Sequence, residues 1–187
     1  MRKKDDEKVR SIKEAVIKLI LQEGFHGTSV SKIAKMAGVS PATVYIYFEN
    51  KDVMLHDIYL EYSEEIYSYL LESIDRKMEG QKQIEILIRS YYSYILDNKE
   101  IFSFVEQFSN CPSLGGKCTG KRGICNIYSL VEEMKLQHII KDYREDNILA
   151  IMFQPVKAIA VDNKKTKAQK EELLEEMINI IQYAILR

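Results

Sequence analysis

Residues 28–51 read TSVSKIAKMAGVSPATVYIYFENK, and this stretch decides the fold. Val30, Ile33, Ala34 and Ala37 recur at helical spacing, so a short first helix has one apolar face. Thr28 and Ser29 stand just ahead of it, where a hydroxyl can cap free backbone N–H groups. Gly38 stops the helix, because glycine takes the left-handed conformation of a C-terminal cap at little cost. Ser40 then caps a second helix, and Pro41 fills its first position, where a missing N–H is of no consequence. Val44 and Phe48, four residues apart, pack back onto the first helix. With Val44 inward, the 3.6-residue period turns Ala42 and Ile46 outward and leaves Thr43 and Tyr45 on the flanks. The pattern predicts a helix-turn-helix whose second helix is free to enter a DNA major groove. Two ordinary core helices joined by a glycine turn would share this geometry.

A longer string separates the two readings. Gly24, Phe25, Thr28, Ser29, Val30, Ile33, Ala34, Ala37, Gly38, Val39, Ser40, Thr43, Tyr45, Tyr47, Phe48 and Lys51, in this order and spacing, resemble the TetR family of transcriptional regulators. The resemblance covers roughly the first quarter to third of the chain, the length of one small helical module. It implies an all-α protein of about nine helices, with a three-helix DNA-binding head at 1–50 and a helical effector-binding and dimerisation domain at 51–187. The implied partners are double-stranded operator DNA, an unknown small-molecule effector and a second copy of the chain. The implied function is ligand-responsive regulation, more often repression than activation, with no cofactor and no enzymatic activity. Its DNA contacts would come from Thr28, Ser29, Ser40, Pro41, Ala42, Thr43, Tyr45, Ile46, Tyr47 and Lys51, the tyrosines mostly holding phosphates. Lys51, in the first turn of the fourth helix, would set a cation beside the DNA backbone. One departure is visible: the family commonly has a glutamate after that lysine, whereas this chain has Asp52 and then Val53.

Composition and charge bound the alternatives. A chain of 187 residues with 46% hydrophobic content can bury a real core and is not disordered. No apolar run approaches the ~20 residues of a membrane span. Arg2, Lys3 and Lys4 are followed by acidic residues where a signal peptide needs an apolar segment, so the expected location is cytoplasmic, without a membrane partner. Residues 1–51 hold ten Lys and Arg against six Asp and Glu, and the remainder seventeen against twenty-two. A basic head on an acidic body suits a module that meets phosphate while the rest does not.

Apolar periodicity places the other helices. Val9, Ile12, Val16, Leu19 and Ile20 stripe a first helix over 5–23, stopped by Gly24. Asn50 caps a long fourth helix reaching about Met78, with Gly80 as its stop. Further helices are expected at 82–97, 99–109, 126–141, 147–161 and 167–186, and Pro155 predicts a kink or an interruption. The last two are apolar enough to need a second buried side. By resemblance they form a four-helix dimer interface, with Ile148, Met152, Leu174, Met177, Ile181 and Ala184 at the contact. The chain has twelve tyrosines and no tryptophan. A tyrosine stripe on a helix is ordinarily packing with the hydroxyl at the rim. The resemblance, however, puts an effector pocket among the fourth to eighth helices, and Tyr62, Tyr91, Phe102, Phe108 and Tyr128 are its candidate lining.

The segment NCPSLGGKCTGKRGIC, dense in glycine and cysteine, interrupts the helices. Cys111, Cys118 and Cys125 follow no common zinc spacing, and three reduced thiols are the ordinary state of such residues in a cytoplasmic protein. A redox or soft-metal sensor built on these thiols is the alternative, since Lys117, Lys121 and Arg122 would lower nearby thiol pKa values. Gly115–Lys121 also fits the skeleton of a phosphate-binding loop, but Arg122 stands where Ser or Thr must hold magnesium, and a helix precedes it instead of a strand. The three histidines are scattered, and no catalytic constellation can be assembled. A last alternative is an interaction module that kept the helix-turn-helix as scaffold and lost operator binding.

Overall fold

The computed structural model describes residues 2–109 and 122–187, with the side chains of 5–108 and 126–187. Among the described residues there are nine α-helices: α1 Arg2–Gly27, α2 Val30–Ala37, α3 Pro41–Tyr47, α4 Lys51–Glu72, α5 Gly80–Asp97, α6 Lys99–Ser109, α7 Arg122–Leu136, α8 Glu145–Val161 and α9 Lys167–Ile185. Contacts gather them into two compact units. One holds the described residues of Met1–Ser63 and Glu100–Lys117, the other those of Glu64–Lys99 and Cys118–Arg187.

In the first unit, Ile12, Val16 and Ile20 of α1 are buried, as are Ile33 and Ala34 of α2 and Val44 of α3. Met54, Leu55 and Ile58 of α4 and Phe102, Phe104 and Phe108 of α6 complete this core. The expected stop at Gly24 is a break inside α1: its φ of 71° and ψ of 179° leave the helical region, a conformation glycine adopts without a Cβ penalty. Lys13 of α1 forms an ion pair with Glu61 of α4 at 2.5 Å. Asn50 caps α4 as its sequence predicts, its side-chain oxygen accepting from the Val53 N–H at 2.9 Å.

Several boundaries differ from the sequence reading. α4 ends at Glu72, not near Met78, and residues 73–79 form turns closed by the side chains of Ser73 and Asp75. Gly80 therefore opens α5 and does not stop α4. Its lack of a side chain has a local cause, since a Cβ there would lie 2.0 Å from Cγ2 of Ile139. Similarly, α7 begins at Arg122 and ends at Leu136, where the sequence suggested 126–141. His138 follows with a φ of 58°, in the left-handed region. α8 continues through Pro155 without interruption.

In the second unit Ile84, Leu87 and Ile88 of α5 are buried together with Leu130, Val131 and Met134 of α7. Val156 of α8 and Ile178 and Ile185 of α9 join the same interior. Polar ties set the register of α5 against α9. Arg89 makes a bidentate pair with Glu175, both N–H···O distances 2.7 Å. The buried Gln182 amide donates to the Gln81 carbonyl at 3.0 Å. Thr166 and Gln169 form a reciprocal capping box at the start of α9, and Lys170 donates to the Ala160 carbonyl at the end of α8.

Candidate nucleic-acid interface

The helix-turn-helix is built as its sequence dictates. The Ser29 side chain accepts from the Lys32 N–H at 3.3 Å and so starts α2. Gly38, at φ 69°, ends it, and the Val39 N–H returns to the Ala34 carbonyl at 2.9 Å. Ser40 caps α3, accepting from the Thr43 N–H at 3.1 Å, and the Ser40 and Thr43 hydroxyls lie 2.9 Å apart. Val44 is 1% exposed and anchors α3, whereas Pro41 and Ala42 are exposed and Ile46 is 75% exposed. A large aliphatic side chain that open to water costs solvation free energy and is explained if another surface covers it. Tyr45 is exposed beside it. Ser29, Lys32 and Lys35 present polar groups from α2 to solvent.

Three of the residues expected to touch DNA are committed inside the unit. Thr28 is 2% exposed, and its hydroxyl donates to the Gly24 carbonyl at 2.9 Å, so it secures the turn and offers no surface. Lys51 is also turned inward. Its ammonium donates to the carbonyls of Phe25 and Thr28, at 2.9 and 3.0 Å, and sits 4.0 Å from the centre of the Phe25 ring. Tyr47 is half-buried, and its hydroxyl donates to Asp5 Oδ1 at 3.1 Å. Burial raises the Tyr47 pKa, and the Asp5 carboxylate raises it further. Sequence reasoning missed Asp5, because only the fold brings the start of α1 to the end of α3. It also missed Lys35, which the helical period could have found, since it lies on the α2 face opposite Ile33 and Ala34.

The remaining candidate residues fall apart by location. Tyr62, Phe102 and Phe108 belong to the first unit, the two phenylalanines buried. Tyr91 and Tyr128 belong to the second unit. There the Tyr91 ring packs on Phe153 at 4.8 Å, and the Tyr128 hydroxyl donates to Asp146 at 2.5 Å. Four of the six residues expected at a dimer contact serve the interior instead: Ile148, Met152, Leu174 and Ile181 are each less than 5% exposed. The apolar stripe that periodicity predicts on α8 and α9 faces their own unit. Met177 and Ala184 are half-exposed, and the large apolar side chains that these two helices leave open are Ile151, Val161, Ile180 and Tyr183. Cys111 and Cys118 lie outside the described residues, as does the glycine-rich phosphate-loop skeleton. Cys125 lies in α7 with its side chain outside the description. Among the described residues no cluster of His, Cys, Asp and Glu could hold a metal ion, and no helix is long and apolar enough to cross a membrane.

A capped helix-turn-helix that buries Val44 and exposes the opposite face of α3 has the geometry of the helix-turn-helix class of DNA-binding proteins. Known proteins agree. Residues 12–58 match the model of the bacterial regulatory proteins of the tetR family. The structure superposes on a TetR family transcription regulator from Marinobacter aquaeolei with a TM-score of 0.86 and 26% identity, covering 100% of this chain and 99% of that one. An HTH-type transcriptional regulator of Haemophilus influenzae is 22% identical over 183 residues, 95% of each chain. The Fatty acid metabolism regulator protein of Bacillus subtilis is 32% identical over 88 residues, a match spanning 47% of this chain and 45% of that protein. The chain carries the DNA-binding head of the TetR family of transcriptional regulators and shares the fold of such regulators over its whole length.

Proposed function

We propose that this protein is a dimeric repressor that releases its operator when a small molecule binds the helical body, and that it reads the operator chiefly through apolar contacts. The observation that carries the second part is Ile46, exposed at 75% in the middle of the face that α3 turns outward. Residues 39–48 contain no Arg, Lys, Asn or Gln, so bidentate hydrogen bonding to guanine or adenine is not open to this helix. Ala42 and Ile46 instead suit the thymine methyl group in the major groove, with DNA shape supplying further discrimination. Ser29, Ser40, Thr43 and Tyr45 fix register by contacts to phosphate and sugar. Two copies related by a two-fold axis would place two α3 helices on half-sites about one helical turn apart or more. Ile151, Ile180 and Tyr183 support α8 and α9 as the helices that pair, since together they leave apolar side chains in water.

The test begins with genomic fragments selected on the purified protein. In the recovered half-site each thymine is replaced in turn by uracil, which removes the methyl and preserves the hydrogen-bonding edge. At least one substitution should weaken binding by about 1–3 kcal/mol, the scale of a mismatched base pair. Equal affinity at every position would refute apolar readout. Release is tested with fatty acids and their acyl derivatives first, because the Bacillus subtilis relative is a fatty acid metabolism regulator.

A further inference from the structure

We propose that Lys51 is a positioning residue that clamps the turn between α1 and α2, and that it is not a phosphate ligand. An ammonium carries three N–H bonds. Two are directed at the carbonyls of Phe25 and Thr28, and the face of the Phe25 ring occupies the remaining side at 4.0 Å. The Phe25 carbonyl follows the break at Gly24, beyond the hydrogen-bond ladder of the long part of α1, and Lys51 is the donor that satisfies it. Each direction in which Lys51 could donate is therefore taken by the protein itself. A phosphate would have to displace a backbone carbonyl, whose orphaned oxygen would then be half-buried.

The clamped turn needs a clamp. It begins at Gly24, whose φ of 71° breaks α1, and it must deliver Ser29 to the start of α2 in capping geometry. Thr28 closes it from one side through the Gly24 carbonyl. Lys32 closes it from another, bonding Glu23 and the Gly27 carbonyl at 2.5 and 2.9 Å. Lys51 alone of these three comes from α4, so it ties the first turn of α4 to the base of the helix-turn-helix. A shift of that first turn is thereby carried to α2, and through the Gly38 turn to α3. The inference deepens the DNA-binding reading, but its first test needs no DNA.

The test compares Lys51→Met, which keeps the stem over Phe25 and loses the charge, with Phe25→Leu, which keeps the charge and loses the ring. In the free protein, hydrogen exchange of the Lys32 and Ile33 amides, both bonded to Ser29, should speed up by about tenfold in the first variant and less in the second. On duplex DNA of random sequence, the salt dependence of binding by Lys51→Met should keep its slope. On the selected operator its affinity should fall threefold or more. A phosphate ligand predicts the reverse, a slope smaller by about one unit with all sequences weakened alike and exchange unchanged. That result overturns the proposal, as does exchange that is unaltered in both variants. Should Lys51→Met fail to fold, exchange in Phe25→Leu decides alone, because wild-type protection there would leave the ring contact without function.

Discussion

Ile46 and Asp5 set the character of the proposed DNA-binding surface. Ile46→Ala removes exposed apolar surface and touches no core residue, so the variant should melt like wild type while losing about 1–3 kcal/mol on the operator. Binding to random duplex should barely change, and fluorescence anisotropy on both DNAs checks the split. Asp5 works in the opposite direction. The Tyr47 hydroxyl has one proton, and in the free protein Asp5 receives it at 3.1 Å. A phosphate that takes this donor leaves a carboxylate beside the phosphate. Asp5→Asn keeps an acceptor and removes the charge, so affinity for every duplex should rise by about threefold to tenfold at low salt, and less as salt increases. Unchanged affinity at low salt would show that Tyr47 and Asp5 stay clear of the backbone.

At the scale of the element, the sequence was most legible where a local rule and a side chain coincide. Ser29, Gly38, Ser40, Pro41 and Asn50 each act through their own backbone, so their positions fix α2, α3 and the start of α4 without knowledge of anything distant. A glycine after an apolar stripe is ordinarily a helix stop, and Gly80 follows such a stripe. Its actual reason is Ile139, some sixty positions away, and no local signal reports that. The same limit explains the dimer residues. Periodicity identified apolar stripes on α8 and α9 but could not say which stripe faces the unit's own core. Gly80→Ala should therefore destabilise the protein, and Gly80→Ala with Ile139→Ala should recover part of the loss. Denaturant midpoints of the two single variants and the double variant measure this coupling, expected between about 0.5 and 3 kcal/mol for residues in contact.

At the scale of the molecule, assembly and acid response follow from which groups remain at the surface. Charge placed at Ile180 and Tyr183 together should give a folded monomer, whereas Ile181→Asp should unfold the second unit, because Ile181 is 1% exposed. Sedimentation with circular dichroism separates the outcomes, and a folded dimer in the double variant would place the contact elsewhere. Acid should loosen α5 from α9. Hydrogen bonding from Arg89 holds the Glu175 carboxyl below the ordinary carboxylate range, and Arg89 and then Lys82 do the same for Glu85. A carboxyl with a lowered folded-state pKa stabilises the fold above its unfolded value, near about 4.3, and that stability drains as pH falls through the folded value. Solvent screens these exposed pairs, so the loss is small. The melting midpoint should decline more steeply below about pH 5 in wild type than in Arg89→Met.

If Ile46 reads the operator as proposed, the bare aliphatic face of α3 has a consequence for methylated DNA. Isoleucine responds to a methyl group and is indifferent to whether the neighbouring ring atom carries a carbonyl or an amino group. Thymine and 5-methylcytosine differ in that atom and share the methyl at carbon 5 of the ring. A regulator reading its operator through Ile46 would therefore accept a methylated cytosine where it rejects an unmodified one. The enzymes that methylate cytosine could then write binding sites for this protein without changing a single base.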